Sequence, residues 1–148
     1  KAELAQRKNS HYRQLLDNLT PDHILPGVMQ LLVELKQRGI KIAIGSSSKN
    51  APFILEKTGL AETFDAVADG NQISLSKPDP EVFLLAARLL GLQPSSCAVV
   101  EDAEAGVVAA VRAGMRAVGV GSAARSPIAP VRASDVATLN IDELLLDC

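Results

Sequence analysis

Glu101 and Asp102 stand side by side after a short apolar run, Cys97-Ala98-Val99-Val100, and ahead of Ala103 to Ala113, where apolar residues recur at helical spacing before Gly114. The apolar run is too short for a helix and suits a buried strand, so the two acids are expected in the turn between the carboxyl end of a strand and a helix. Open parallel sheets bind ligands at such turns. Two adjacent carboxylates there suit a hard divalent cation, Mg²⁺ where a phosphate completes its shell. A solvated acidic turn capping the helix accounts for the same pair.

Two other polar clusters share this setting. Ile40 to Ile44 reads as a buried strand running into Gly45-Ser46-Ser47-Ser48-Lys49-Asn50, ahead of a helix from Ala51 to Thr58. Small hydroxyls, a cation and a helix amino terminus can together hold a phosphate; a serine-rich helix cap is the alternative. In Ser76-Lys77-Pro78-Asp79-Pro80, prolines stiffen a loop just before a helix from Glu81 to Leu90. Lys77 is thereby presented from restrained backbone, although most lysines are solvated surface charges.

The elements that must position these groups follow from pattern. Helices are expected over Lys1 to Leu19, Val28 to Arg38 and Asn140 to Leu146, the last capped by Asn140. Strands are expected over Phe64 to Ala68, which precedes an Asp69-Gly70-Asn71 turn, over Arg116 to Val120, and as a short piece at Asp135 to Ala137 after the loop Gly121 to Ala133. Strands alternating with helices argue for an α/β fold, a Rossmann-like parallel sheet with helices on both faces, with the Cys97 strand at its centre. Right-handed crossovers would bring all three clusters to one edge of that sheet.

The totals narrow the function. A chain of 148 residues, 47% hydrophobic, is large enough for one domain with a real core. Formal charge is −2, from fifteen basic and seventeen acidic residues, and no long basic run could track a nucleic-acid backbone. No apolar segment approaches the roughly 18 residues of a membrane span. Cys97 and Cys148 form neither a disulfide framework nor a metal-ligand pair, so a reducing, cytoplasmic setting is expected. The first residue is Lys1 rather than Met, and the chain reads as starting within a longer protein.

With the three clusters in this order, the chain resembles the haloacid dehalogenase superfamily of phosphoryl-transfer enzymes. The resemblance rests on Ser46 ending one strand, Lys77 in SKPDP, and Glu101-Asp102 in EDAEAG. Longer strings point to its sugar-phosphate mutases rather than their phosphatase relatives: RKN at Arg7 to Asn9, LPG at Leu25 to Gly27, SSSKNAP at Ser46 to Pro52, and GVG at Gly119 to Gly121. The resemblance implies that Asp102 ligates Mg²⁺ with Glu101 supporting the metal, directly or through water. It implies that Ser46 hydrogen-bonds the transferring phosphoryl group, and that Lys77 neutralises its charge and orients the nucleophile. Ser47, Ser48, Lys49 and Asn50 would line a second phosphate site, and Lys8 would reach into the cleft from a helical cap. A small-molecule sugar phosphate is the implied substrate and a monomer the implied state; a sugar-phosphate phosphatase of the same superfamily, or a non-catalytic fragment or binding module, is the alternative.

The family also carries D-x-D-G after its first strand, the first Asp a nucleophile and the second a general acid/base. This sequence has no such motif: Asp65 and Asp69 lie near another strand, and Asp135 is followed by Val136 and Ala137. Residues 1–21 are therefore expected to be the end of the cap and its hinge, and 22–148 a core without its first strand. That strand is central in the family, so its neighbours would have unpaired backbone edges.

Overall fold

The computed structural model describes residues 16–145, so Lys8, Cys148 and nearly all of the expected first helix lie outside the described residues. Five helices are described: α1 (Val28–Gln37), α2 (Ala51–Lys57), α3 (Glu81–Leu90), α4 (Glu104–Arg112) and α5 (Ile141–Leu145). The five described strands are β1 (Ala43–Gly45), β2 (Ala66–Ala68), β3 (Ala98–Glu101), β4 (Arg116–Val120) and β5 (Val131–Ala133).

Every strand pair is parallel, as βαβ connections require, but the strands form two sheets: β1-β2 and β3-β4-β5. Both sheets feed the same two hydrophobic layers. Ala43, Ala68, Val99 and Ala117 point to the cluster containing Val82, Phe83 and Ala87 of α3 and Val107 and Ala110 of α4. Their neighbours Ile44, Val67 and Val118 point to the opposite cluster, with Leu32 and Leu35 of α1, Leu55 of α2 and Leu144 of α5. This period-two alternation is what helices on both faces of a sheet demand. At the edge of the second layer, Arg38 donates to Asp142 at 2.8 Å and to Glu34 at 2.9 Å, linking α1 to α5.

β3 stands at the edge of its sheet among the described residues. β4 lies in the middle of that sheet and is buried from Ala117 to Val120, with Ala117 1% and Val118 0% exposed, whereas Val100 in β3 is 36% exposed. Among the described residues β4 pairs on both sides while β3 pairs only with β4. β1 likewise pairs, among the described residues, only with β2 and is half-buried throughout, although Ile42 just before it is buried. β1 and β3 border one cavity of about 830 Å³, floored by Phe83, Ala86 and Ala87 of α3. It extends from Gly39 and Cys97 at the strands' amino ends to Ser46 and Glu101 at their carboxyl ends, so β1 and β3 run the same way along it.

The expected strand at Asp135 to Ala137 is instead a 3-10 turn, Val136–Thr138. Asp135 accepts from Thr138 N at 2.9 Å while the Thr138 hydroxyl bonds back to Asp135 O at 3.0 Å, and this local capping outcompetes strand pairing. The last strand comes earlier, at Val131–Ala133, inside the stretch expected to be loop.

Candidate active site

Each candidate loop is held in place by bonds that the fold makes before any ligand arrives. At the end of β1, Ser46 N donates to Ala68 O at 2.9 Å, extending the ladder by one residue. Ser46 Oγ then accepts from Ser48 N at 3.2 Å and Ser48 Oγ from Asn50 N at 3.1 Å, successive serine turns that curl the loop into α2. The turn after β2 clamps this loop from outside: Gly70 N donates to Ser48 O at 3.0 Å and Asn71 Nδ2 to Lys49 O at 3.0 Å. Gly70 is required there, because a Cβ would lie 2.8 Å from Lys49 N and 2.9 Å from the Ser48 carbonyl carbon.

Lys77 joins the two sheets. Its backbone N–H donates to Ser47 Oγ at 3.1 Å, and its ammonium lies 2.9 Å from Glu101 Oε2 and 4.7 Å from the centre of the Phe83 ring. With side chains only 19% and 11% exposed, the Lys77–Glu101 pair is shielded enough that removing either partner would strand a charge. The other oxygen, Glu101 Oε1, accepts from Asp102 N and Ala103 N, both at 3.1 Å, at the start of α4. Glu101 therefore has both oxygens engaged, while the carboxylate of Asp102 is exposed beside it.

Ser46, Lys77 and Glu101 line the same cavity. Ser47 faces the Lys77 backbone, Lys49 is exposed, and Asn50 is buried at the start of α2. Among the described residues, no three His, Cys, Asp or Glu side chains gather as a metal cluster. The donor chemistry present is the Glu101-Asp102 pair, hard oxygens suited to a hard cation whose shell is otherwise filled by water and phosphate.

Three contributors were not singled out from the sequence. Phe83 reads there as a packing residue, yet it also supports the ammonium. Glu81, the first residue of α3, accepts from Ser74 N at 2.9 Å and Leu75 N at 2.8 Å. Gly106 packs directly against the Glu101 carboxylate, where a Cβ would overlap Glu101 Cγ, Cδ and Oε2. The small residue in EDAEAG is the only sequence signal for that contact. Gly106→Ala should push Glu101 off Lys77 and off its two N–H donors, lowering stability by about 1–3 kcal/mol in denaturant unfolding. An unchanged midpoint would mean that Glu101 has another equally good position.

No described helix is long and apolar enough to cross a membrane. Comparison with known proteins gives a consistent result. The chain is 43% identical over 147 residues to β-phosphoglucomutase of Bacillus subtilis, covering 99% of this chain and 63% of that protein. It is 40% identical over 118 residues to a fructose-1-phosphate phosphatase of Escherichia coli, covering 79% of this chain and 61% of that one. A crystal structure of β-phosphoglucomutase from Clostridium difficile superposes with a TM-score of 0.92 at 36% identity, over 99% of this chain and 66% of that chain. The chain thus spans just under two thirds of the curated relatives' length. The parallel strands, the two helical layers and the loops meeting at Lys77 agree with the match of residues 2–114 to the haloacid dehalogenase-like hydrolase model, and the chain belongs to that family.

Proposed function

We propose that the full-length protein is a Mg²⁺-dependent phosphotransferase acting on sugar phosphates, interconverting β-glucose 1-phosphate and glucose 6-phosphate. The observation that carries this reading is the meeting of Ser46, Lys77 and Glu101 around one cavity at the carboxyl ends of β1 and β3. Relatives of both kinds support phosphoryl chemistry, and the strings RKN and SSSKNAP favour the mutase.

The nucleophile enters from outside the 148 residues. A parallel strand seated between β1 and β3 would pair with both free edges, and its carboxyl end would emerge between Ser46 and Glu101. An aspartate there takes a phosphoryl group from a sugar bisphosphate, whose P–O bond to the sugar breaks, and becomes the acyl phosphate. The 6-hydroxyl of β-glucose 1-phosphate takes the phosphoryl group from that aspartate and gives its proton to a second carboxylate. The bisphosphate rebinds reversed, its 1-phosphoryl group passes to the aspartate as the bond to the sugar oxygen breaks, the second carboxylate returns its proton to that oxygen, and glucose 6-phosphate leaves. Lys77 cancels charge that spreads over the equatorial oxygens, a positioning and electrostatic role typical of phosphoryl transfer.

Ser46 Oγ already accepts from Ser48 N, which leaves its proton to donate to a phosphoryl oxygen. Asp102, exposed beside Glu101, would ligate Mg²⁺, which when bound neutralises phosphoryl charge. Glu101 supports that carboxylate from the adjacent position and holds Lys77. Ser47, Ser48, Lys49 and Asn50 shape the second phosphate site, Ser47 from its bond to the Lys77 backbone and Asn50 from within the fold. Lys8 would contact the sugar phosphate from the cap.

The second reading is a sugar-phosphate phosphatase, favoured by the fructose-1-phosphate phosphatase relative. Here water instead of a sugar hydroxyl would take the phosphoryl group. Product analysis separates the two. Full-length protein given Mg²⁺, β-glucose 1-phosphate and a trace of the bisphosphate should form glucose 6-phosphate, with little inorganic phosphate. Steady release of inorganic phosphate without glucose 6-phosphate would replace the mutase with the phosphatase.

A further inference from the structure

We propose that Glu81 is a positioning residue that sets the Lys77 ammonium by gripping the loop in front of it; the inference rests on the phosphoryl-transfer reading of the site. Glu81 reaches back from the start of α3 and accepts from two consecutive backbone N–H groups, Ser74 at 2.9 Å and Leu75 at 2.8 Å. Both carboxylate oxygens are used, so the loop is fixed in orientation as well as in distance. Two residues later the chain reaches Lys77, whose N–H is held by Ser47 Oγ.

The helix that grips the loop also supports the ammonium. Phe83, two residues beyond Glu81, lies 4.7 Å beneath Lys77 Nζ and is packed against Gly45, where a Cβ would sit 2.7 Å from the ring. The first turn of α3 therefore fixes Lys77 from its backbone side and from its charged end. Asp79 completes the brace: its N–H donates to Ser76 O at 3.0 Å, and its Oδ1 accepts from Glu81 N at 3.0 Å. A carboxylate at this helix amino terminus is also favoured by the helix dipole. Bound to two amides, Glu81 acts on the phosphoryl group through Lys77.

The test uses Glu81→Gln and Glu81→Ala in the full-length protein. The amide keeps the size but offers only one accepting oxygen, so at most one of the two loop bonds survives. Expected is a fall in kcat of about 10- to 100-fold, as for a displaced catalytic group, with KM for the sugar phosphate within about threefold. On a Lys77→Ala background, Glu81→Ala should add less than about threefold, because the two residues act as one unit.

A readout independent of turnover is acetylation by acetic anhydride, followed by mass spectrometry. Lys77 should react at least about fivefold faster in Glu81→Gln, with exposed Lys36 unchanged, because only the loop has been released. Unchanged Lys77 labelling overturns the assignment, as does a kcat loss that adds in full to that of Lys77→Ala. A wild-type protein without phosphoryl turnover would defeat the reading of the site, and the labelling result would then decide the role of Glu81 alone.

Discussion

Replacing Lys77 with alanine is expected to lower the phosphoryl turnover of the full-length protein by about 10²- to 10³-fold, with a much smaller change in KM. The ammonium is the one side-chain cation that the described residues bring to the cavity between β1 and β3 at the level of Ser46 and Glu101. Its position is fixed by Glu101, Phe83 and Ser47, so little reorganisation is needed when charge builds on the phosphoryl oxygens. That stabilisation is larger in the transition state than in the bound substrate, hence the loss in kcat. Lys77→Arg should not restore it, because a planar guanidinium cannot occupy the same point beside Glu101 and above the Phe83 ring. Some loss of stability will accompany the alanine, since Glu101 is left without its cation at a shielded position. Steady-state kinetics below the unfolding temperature separate the two effects, and a fall in kcat of less than about tenfold would remove Lys77 from the chemistry.

Asp102→Asn is expected to act on the metal. The exposed carboxylate of Asp102 has charge to give a cation, whereas Glu101 has its oxygens committed to Lys77 and to the α4 amides. An amide retains the shape and one carbonyl oxygen but loses the charge that a hard cation requires. Turnover at ordinary Mg²⁺ should fall by about 10²-fold or more, and the Mg²⁺ concentration for half-maximal activity should rise by at least about tenfold. Titrating activity against Mg²⁺ in the wild type and the variant checks both numbers. An unchanged titration would show that the metal is held elsewhere.

The sequence made the periodic elements of this fold legible and hid those decided by distant partners. α3 falls at Glu81–Leu90 and β4 at Arg116–Val120, where the apolar pattern and flanking glycines place them. β5 is only three residues, too few for alternation to register, and the neighbouring Val136 looks like a strand residue until Asp135 caps it into a turn. The apolar content of β3 is the same whether its second edge is paired or free, so pattern alone could not reveal that Val100 is 36% exposed. At the site, residue types pointed to Ser46, Lys77, Glu101 and Asp102 because strand ends converge. The Lys77–Glu101 pair, the Ser47 bond and the Glu81 grip depend on residues up to 30 positions apart, and spacing encodes none of them.

The proposed activity requires that a phosphoryl group pass to an aspartate held beside Ser46, Lys77 and Asp102. Full-length protein should be incubated with Mg²⁺ and sugar phosphate carrying ³²P, quenched, and assayed for label on the protein. The predicted result is a labelled protein that loses its label to hydroxylamine, as an acyl phosphate does, and that fails to form in Lys77→Ala. Protein that stays unlabelled while substrate is consumed, or label that resists hydroxylamine, would contradict it.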